Sequence, residues 1–250
     1  MEQEKQAVIY VVSHKAFDVP EDPLYVPIQV GKEQTGKDLG FLSDDTGDEI
    51  SALNPYYCEL TALYWMWKND SHEVKGLVHY RRYFCNRKWK ILSASDVKAL
   101  IPQNGMIVAQ RGYNLETVQK RYAAHHVLSD LELTRHVLQE QCPSCVPAFD
   151  AVMRGHSYCP YNMLIAGDAV LDSYCSWLFA ILETVRRELG DQLQARDAYN
   201  RRALGFLGER LLNVYLLSHP EIPFAEVPVL NIEGNIRVQK VSSRIKGLLK

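Results

Sequence analysis

Hydrophobic positions along this chain fall into two alternating patterns. Short continuous β-branched runs mark buried strands, and longer runs with apolar residues three and four apart mark helices. Residues 7–13 (AVIYVVS) form the first strand run, with His14 and Lys15 at its carboxyl end. Residues 24–30 give a weaker strand, and 31–50, rich in Gly, Asp and Thr, read as a long loop. Asn54-Pro55 then starts a helix expected to reach Asn69, because Asn caps well and Pro presets φ for the first turn. Further strand runs lie at 75–80 (KGLVHY), 106–110 (MIVAQ), 161–166 (YNMLIA) and 225–232. Helical patterns cover 115–141, closed by Pro143 and Pro147, and then 169–189. Residues 206–217 are apolar on nearly every face and predict a buried helix. This alternation predicts one α/β domain built on a mostly parallel sheet flanked by helices. Ligands in such sheets bind beyond the carboxyl ends of the strands, which directs attention to His14, Lys15 and the residues after Val78.

Composition removes several function classes. The 250 residues are 47% hydrophobic and 23% charged, with 28 Lys and Arg against 30 Asp and Glu, a net charge of −2. A disordered tail and a polycationic nucleic-acid coat are both excluded. The polar start MEQEKQ and the short apolar run behind it predict no secretion signal, and no run approaches the ~20 apolar residues of a membrane span. A cytoplasmic location is expected, with the six cysteines reduced and Cys142-Pro-Ser-Cys145 an ordinary turn. The near-neutral total conceals local charge. Residues 41–59 hold five acids and no Lys or Arg, whereas 79–90 and 237–250 each hold five bases and no acid.

The run 79–90 (HYRRYFCNRKWK) begins where a buried strand should end. Arg81 and Arg82 carry planar forks suited to phosphate oxygens, His79 abuts the strand end, and Tyr80, Tyr83 or Trp89 can stack on a ring. Arg87, Lys88 and Lys90 read as a solvated edge. Asp44, Asp45 and Glu49 read as a solvated loop. Glu59 differs, since inside the expected helix it precedes apolar Leu63 and Met66 and needs a partner or a function. Glu209 and Asn213 lie four apart on the most apolar helix, beside Arg210. That carboxylate is either a base toward an acceptor hydroxyl or half of an internal Glu–Arg pair. His126 and Asp130 would share a helical face, but their surroundings lack zinc spacing, so no metal is expected there and His126 is kept as a polar site residue. Dinucleotide, P-loop, nucleophile-elbow and HExxH motifs are missing. So is Asp-x-Asp, the nearest approach being Asp130-Leu-Glu132.

Several blocks resemble a known family. DTGDEIS at 45–51, NPYYCELTALYWMWKN at 54–69, KGLVHYRRYF at 75–84, NMLI at 162–165, YCSWLFAIL at 174–182 and RALGFLGERLLNVYL at 202–216 are similar to a bacterial family of capsular and exopolysaccharide biosynthesis proteins, long described as a domain of unknown function. Its members resemble glycosyltransferases of the GT-A-like, nucleotide-diphosphosugar fold, and some are described as galactofuranosyltransferases. The resemblance implies a GT-A-like domain over 1–234, followed by a basic tail over 235–250. It implies transfer of galactofuranose or another hexose from a UDP-sugar to a surface polysaccharide or lipid-linked glycan. The family often carries Asn where Glu49 stands, so Glu49 is set aside as a site residue.

On this reading Ser13, His14, Lys15, Arg81, Arg82, Tyr83 and Asn162 bind the donor. Glu209, with Asp48 as second choice, meets the acceptor hydroxyl alongside His79, and Glu59, His126 and Arg210 contact the acceptor. Fixed cations would replace the Asp-x-Asp metal, with Mg²⁺ or Mn²⁺ left open as a cofactor. The tail, with Arg237, Lys240, Arg244, Lys246 and Lys250 among apolar residues, suits either an anionic inner leaflet or a frayed end. The alternatives are a non-catalytic sugar-nucleotide or glycan-binding subunit of a polysaccharide synthase, and a nucleic-acid module using 79–90. The neutral total charge disfavours nucleic acid as a partner.

Overall fold

Strands form where the β-branched runs fall. A computed structural model of the chain describes residues 7–234, so the basic tail lies outside the described residues. The strands are β1 (Val8–Ser13), β2 (Tyr25–Gln29), β3 (Leu42–Ser43), β4 (Val74–His79), β5 (Arg82–Phe84), β6 (Met106–Ala109), β7 (Gly112–Tyr113), β8 (Ser157–Tyr158), β9 (Leu164–Gly167), β10 (Phe224–Val227) and β11 (Val229–Asn231). The main sheet runs β10-β6-β9-β4-β1-β2-β3, and off this path β5 pairs with the internal strand β4 and β11 with β5. Its junctions are parallel except where β9 opposes β4 and β6. This is the expected α/β architecture with a mostly parallel sheet. All six residues of β1 are buried, which accounts for its unbroken apolar run. The strand directions bring the carboxyl ends of β1, β2, β4 and β6 and the amino end of β9 to one edge.

The helices are α1 (Lys32–Thr35), α2 (Asn54–Tyr57), α3 (Leu60–Asn69), α4 (Ala94–Leu100), α5 (Val118–His125), α6 (Ser129–Gln141), α7 (Val146–Arg154), α8 (Asp168–Gln194) and α9 (Ala203–Ser218). Alternate residues of β1 feed the two faces of the sheet. Val8, Tyr10 and Val12 join the large core with α3, α8 and α9, while Ile9 and Val11 join the smaller one with Tyr83, Phe84 and Val97. Among the described residues no helix is long and apolar enough to cross a membrane.

The structure corrects several boundaries. The helix expected over 54–69 is broken at Cys58, whose φ of 54° and ψ of −130° end α2. Glu59 therefore precedes α3 instead of lying inside a helix. The pattern over 115–141 splits into α5 and α6, so His126 and Asp130 share no helical face. Asp130 is buried and pairs with Arg196. Residues 225–232 divide at Pro228 into β10, parallel to β6, and β11, antiparallel to β5. Pro147 closes nothing: it stands in the first turn of α7. Asp44, read as solvated, is fully buried and accepts a 2.6 Å bond from Ser51 Oγ. Cys142 and Cys145, read as reduced, are joined by a disulfide.

Candidate functional site

A cavity of about 600 Å³ opens at the shared edge of the sheet. Its lining combines Ser13 and His14 after β1, His79, Arg81 and Arg82 of the β4–β5 hairpin, Cys58 and Glu59 of the α2–α3 break, Tyr161 before β9, and Arg201, Arg202 and Glu209 around α9. Four arginines and two histidines thus face two carboxylates. Sequence patterns widely separated along the chain meet here because most lie at or beside a strand or helix end, with Glu209 reaching in from within α9.

The cation side is built on the hairpin. His79 and Arg82 are cross-strand partners, so the turn residues Tyr80 and Arg81 project between them. The Arg82 guanidinium lies 4.6 Å from the centre of the Tyr161 ring. Arg81 sits over Tyr80 at 5.5 Å and reaches Glu233 at 3.5 Å. Lys15 covers the same Tyr80 ring at 4.8 Å and lies outside the cavity lining. Ser13 is buried, and its hydroxyl donates to Lys15 O while accepting the Lys15 N–H, which fixes the turn after β1. Burial first, then Lys15, Arg81 and Arg202, lower the His14 pKa. Burial pushes His79 down to about 4, with Arg82 adding to the effect. The imidazole is therefore neutral at pH 7. Its Nε2–H donates to the Tyr161 carbonyl at 2.9 Å, leaving Nδ1 as an acceptor.

The carboxylate side hangs on a two-residue left-handed turn. Tyr161 (φ 82°) and Asn162 (φ 52°) occupy backbone conformations that cost a non-glycine residue about 1–3 kcal/mol. The turn aims its groups at three partners. Tyr161 N–H donates to Glu209 Oε1 at 3.2 Å, and Asn162 Nδ2 donates to Glu59 Oε1 at 2.8 Å and to Gly205 O at 3.0 Å. Glu209 Oε2 accepts from buried Arg210 at 2.8 Å, so the internal pair and the cavity role coexist in one residue. Burial raises the pKa of both Glu59 and Glu209, opposed by Asn162 for the first and by Arg210 for the second.

Other expected site residues lie elsewhere. Tyr83 is buried, its hydroxyl donating to Tyr80 O. Asn162 is buried behind Glu59, and Arg210 lies between the rings of Tyr122 and Tyr158, 5.0 Å from each. Asp48 is exposed on the flank of α3, where it accepts from Tyr64. His126 stacks on Phe206 at 3.9 Å beside the arginine rim. Sequence reasoning missed Cys58, Tyr161, Arg201 and Arg202. The last two form a basic pair two residues before GFLGERL, a signal available without the structure. Among the described residues no cluster of three or more His, Cys, Asp or Glu is arranged to hold a metal ion.

Comparison with known proteins bears on fold and family. No curated protein matches the chain. One solved structure, the WbbM bifunctional glycosyltransferase in its apo form, superposes with a TM-score of 0.81 at 21% identity, covering 92% of this chain and 46% of that one. The chain therefore spans about half the length of that protein and shares a GT-A-like fold with it. Residues 8–220 match a family model described as Domain of unknown function (DUF4422). The matched region takes in the hairpin, the α2–α3 break and α9, and the chain belongs to the DUF4422 family.

Proposed function

We propose that the protein is a glycosyltransferase that moves galactofuranose or another hexose from a UDP-sugar to a surface polysaccharide or lipid-linked glycan. One observation carries the reading. A cavity at the ligand-binding edge of a glycosyltransferase-like fold sets a cluster of arginines against two poorly solvated carboxylates. Transfer from a nucleotide diphosphate builds negative charge on the departing phosphates. Arg81, Arg82 and Arg202 supply fixed positive charge at that place, the role a metal held by Asp-x-Asp plays elsewhere.

The acceptor hydroxyl must lose a proton as it attacks. Glu209 is held at both oxygens, by Tyr161 N–H and by Arg210. Glu59 accepts from a neutral amide, whereas Glu209 is paired with the Arg210 cation, so Glu59 is the carboxylate freer to take a proton. We assign it proton acceptance, with Glu209 orienting the acceptor.

Turnover of UDP-galactofuranose or another UDP-hexose with a saccharide acceptor tests the reading. Arg82→Ala is expected to lower kcat about 10²–10³-fold, the cost of one lost donor to developing charge. Binding of UDP without turnover on any acceptor would favour a non-catalytic subunit. Activity abolished by EDTA and restored by Mn²⁺ would overturn the fixed-cation mechanism.

A further inference from the structure

Beside the arginine rim lies a second feature that the donor chemistry does not use. Three aromatic rings from two distant segments, 126 and 199–206, converge there. His126, just past α5, stacks on Phe206 of α9 at 3.9 Å, and Tyr199 stacks on His126 at 5.7 Å with an interplanar angle of 18°. Arg202 lies 5.3 Å over Phe206, while its Nε–H donates to Cys58 Sγ at 3.2 Å. The cluster is thus continuous with the cavity through a single guanidinium.

Tyr199 is 48% exposed, although its segment is firmly held without it. Arg196 makes a two-pronged bond to buried Asp130 at 2.7 and 2.8 Å. Asp197 accepts from the N–H groups of Tyr199 and Asn200, and Arg201 donates to the carbonyls of Gln194 and Arg196. A loop pinned at so many points does not need a half-exposed tyrosine as an anchor. Its rigidity instead presents one aromatic face in a fixed orientation, the condition for a low-cost binding platform.

We infer that the Tyr199–His126–Phe206 cluster is the acceptor subsite, taking the apolar CH face of a saccharide ring against Tyr199. This rests on the glycosyltransferase reading. It also fits the neutral state of His126, whose pKa burial lowers to about 4, because a neutral ring adds no cation to a site for an uncharged sugar.

Saturation-transfer NMR with octyl β-D-galactopyranoside and octyl β-D-glucopyranoside, beside UDP calorimetry, tests the assignment. Tyr199→Ala is expected to weaken glycoside binding about fivefold or more while Tyr199→Phe preserves it. UDP affinity should change by less than about twofold in either variant. Equal glycoside binding by wild type and Tyr199→Ala overturns the inference, as does the absence of glycoside binding to wild type. Selective loss of UDP affinity in Tyr199→Ala also overturns it and gives the platform to the nucleobase. Failure of wild type to bind UDP strikes the donor reading instead, and the glycoside arm then judges the platform alone.

Discussion

Glu59 combines a functional position with a stability cost. Its carboxylate faces the cavity with one amide donor, and burial raises its pKa above the ordinary 4.5. The folded state therefore binds this proton more readily than the unfolded state. Its contribution to stability is full below 4.5 and is lost as pH rises through the raised folded value. Glu59→Gln keeps an oxygen for Asn162 and removes the charge. The variant should melt at a higher temperature than wild type at pH 8, with the advantage fading as pH falls through the raised folded value and gone below 4.5. Turnover should drop about 10²–10⁴-fold over the same preparations. A variant that melts lower at pH 8, or that keeps wild-type turnover, contradicts the assignment of Glu59 as a buried base.

Secondary-structure elements place these residues by approaching unusually closely. Helix α9 crosses the α2–α3 break at two glycines. A Cβ on Gly205 would lie 3.2 Å from Cys58 Sγ, and one on Gly208 would lie 2.7 Å from Leu60 Cδ1 and 3.1 Å from Asn162 Oδ1. Leu60 and Asn162 are both buried and have little room to retreat. Gly208→Ala gains about 1 kcal/mol in helix propensity but overpacks the contact by about 1–3 kcal/mol. A net loss of stability is expected in denaturant titration, together with reduced turnover, because Asn162 can no longer hold Glu59 in place. Full stability and activity would show that the close approach is not needed. The GFLGERL block is legible as a buried helix from its apolar run, and its glycines are visible in the sequence. The break it packs against is not. A positive φ at Cys58 leaves no local mark, because the conformation is imposed by α9 and by the hydrogen bonds of Asn54. Strand β5 is hidden for a related reason. Arg82, Tyr83 and Phe84 look like part of a basic run, and most of their ladder is made with β11, far along the chain, with only Arg82 paired locally to His79. The aromatic platform has the same origin, since Tyr199 and His126 become neighbours only through tertiary packing.

At the scale of the whole molecule, a net charge of −2 coexists with a cavity rimmed by Arg81, Arg82, Arg201 and Arg202. The balancing acids lie largely outside the cavity lining, as with exposed Asp48 and buried Asp44. Low-dielectric walls around the rim focus its field on an incoming diphosphate, so long-range repulsion by the overall charge matters little. Such attraction is screened over about 10 Å at 0.1 M salt. UDP should therefore bind about three- to tenfold more weakly when KCl rises from about 0.05 to about 0.5 M. Arg202→Ala should flatten that dependence as well as weaken binding, whereas Lys98→Ala, an exposed cation on α4 outside the cavity lining, should change neither. Calorimetric titration of UDP across the salt series provides the measurement. If the salt slope is the same in wild type and Arg202→Ala, the arginine rim does not hold the diphosphate, and the cations needed for sugar transfer must come from elsewhere in the molecule.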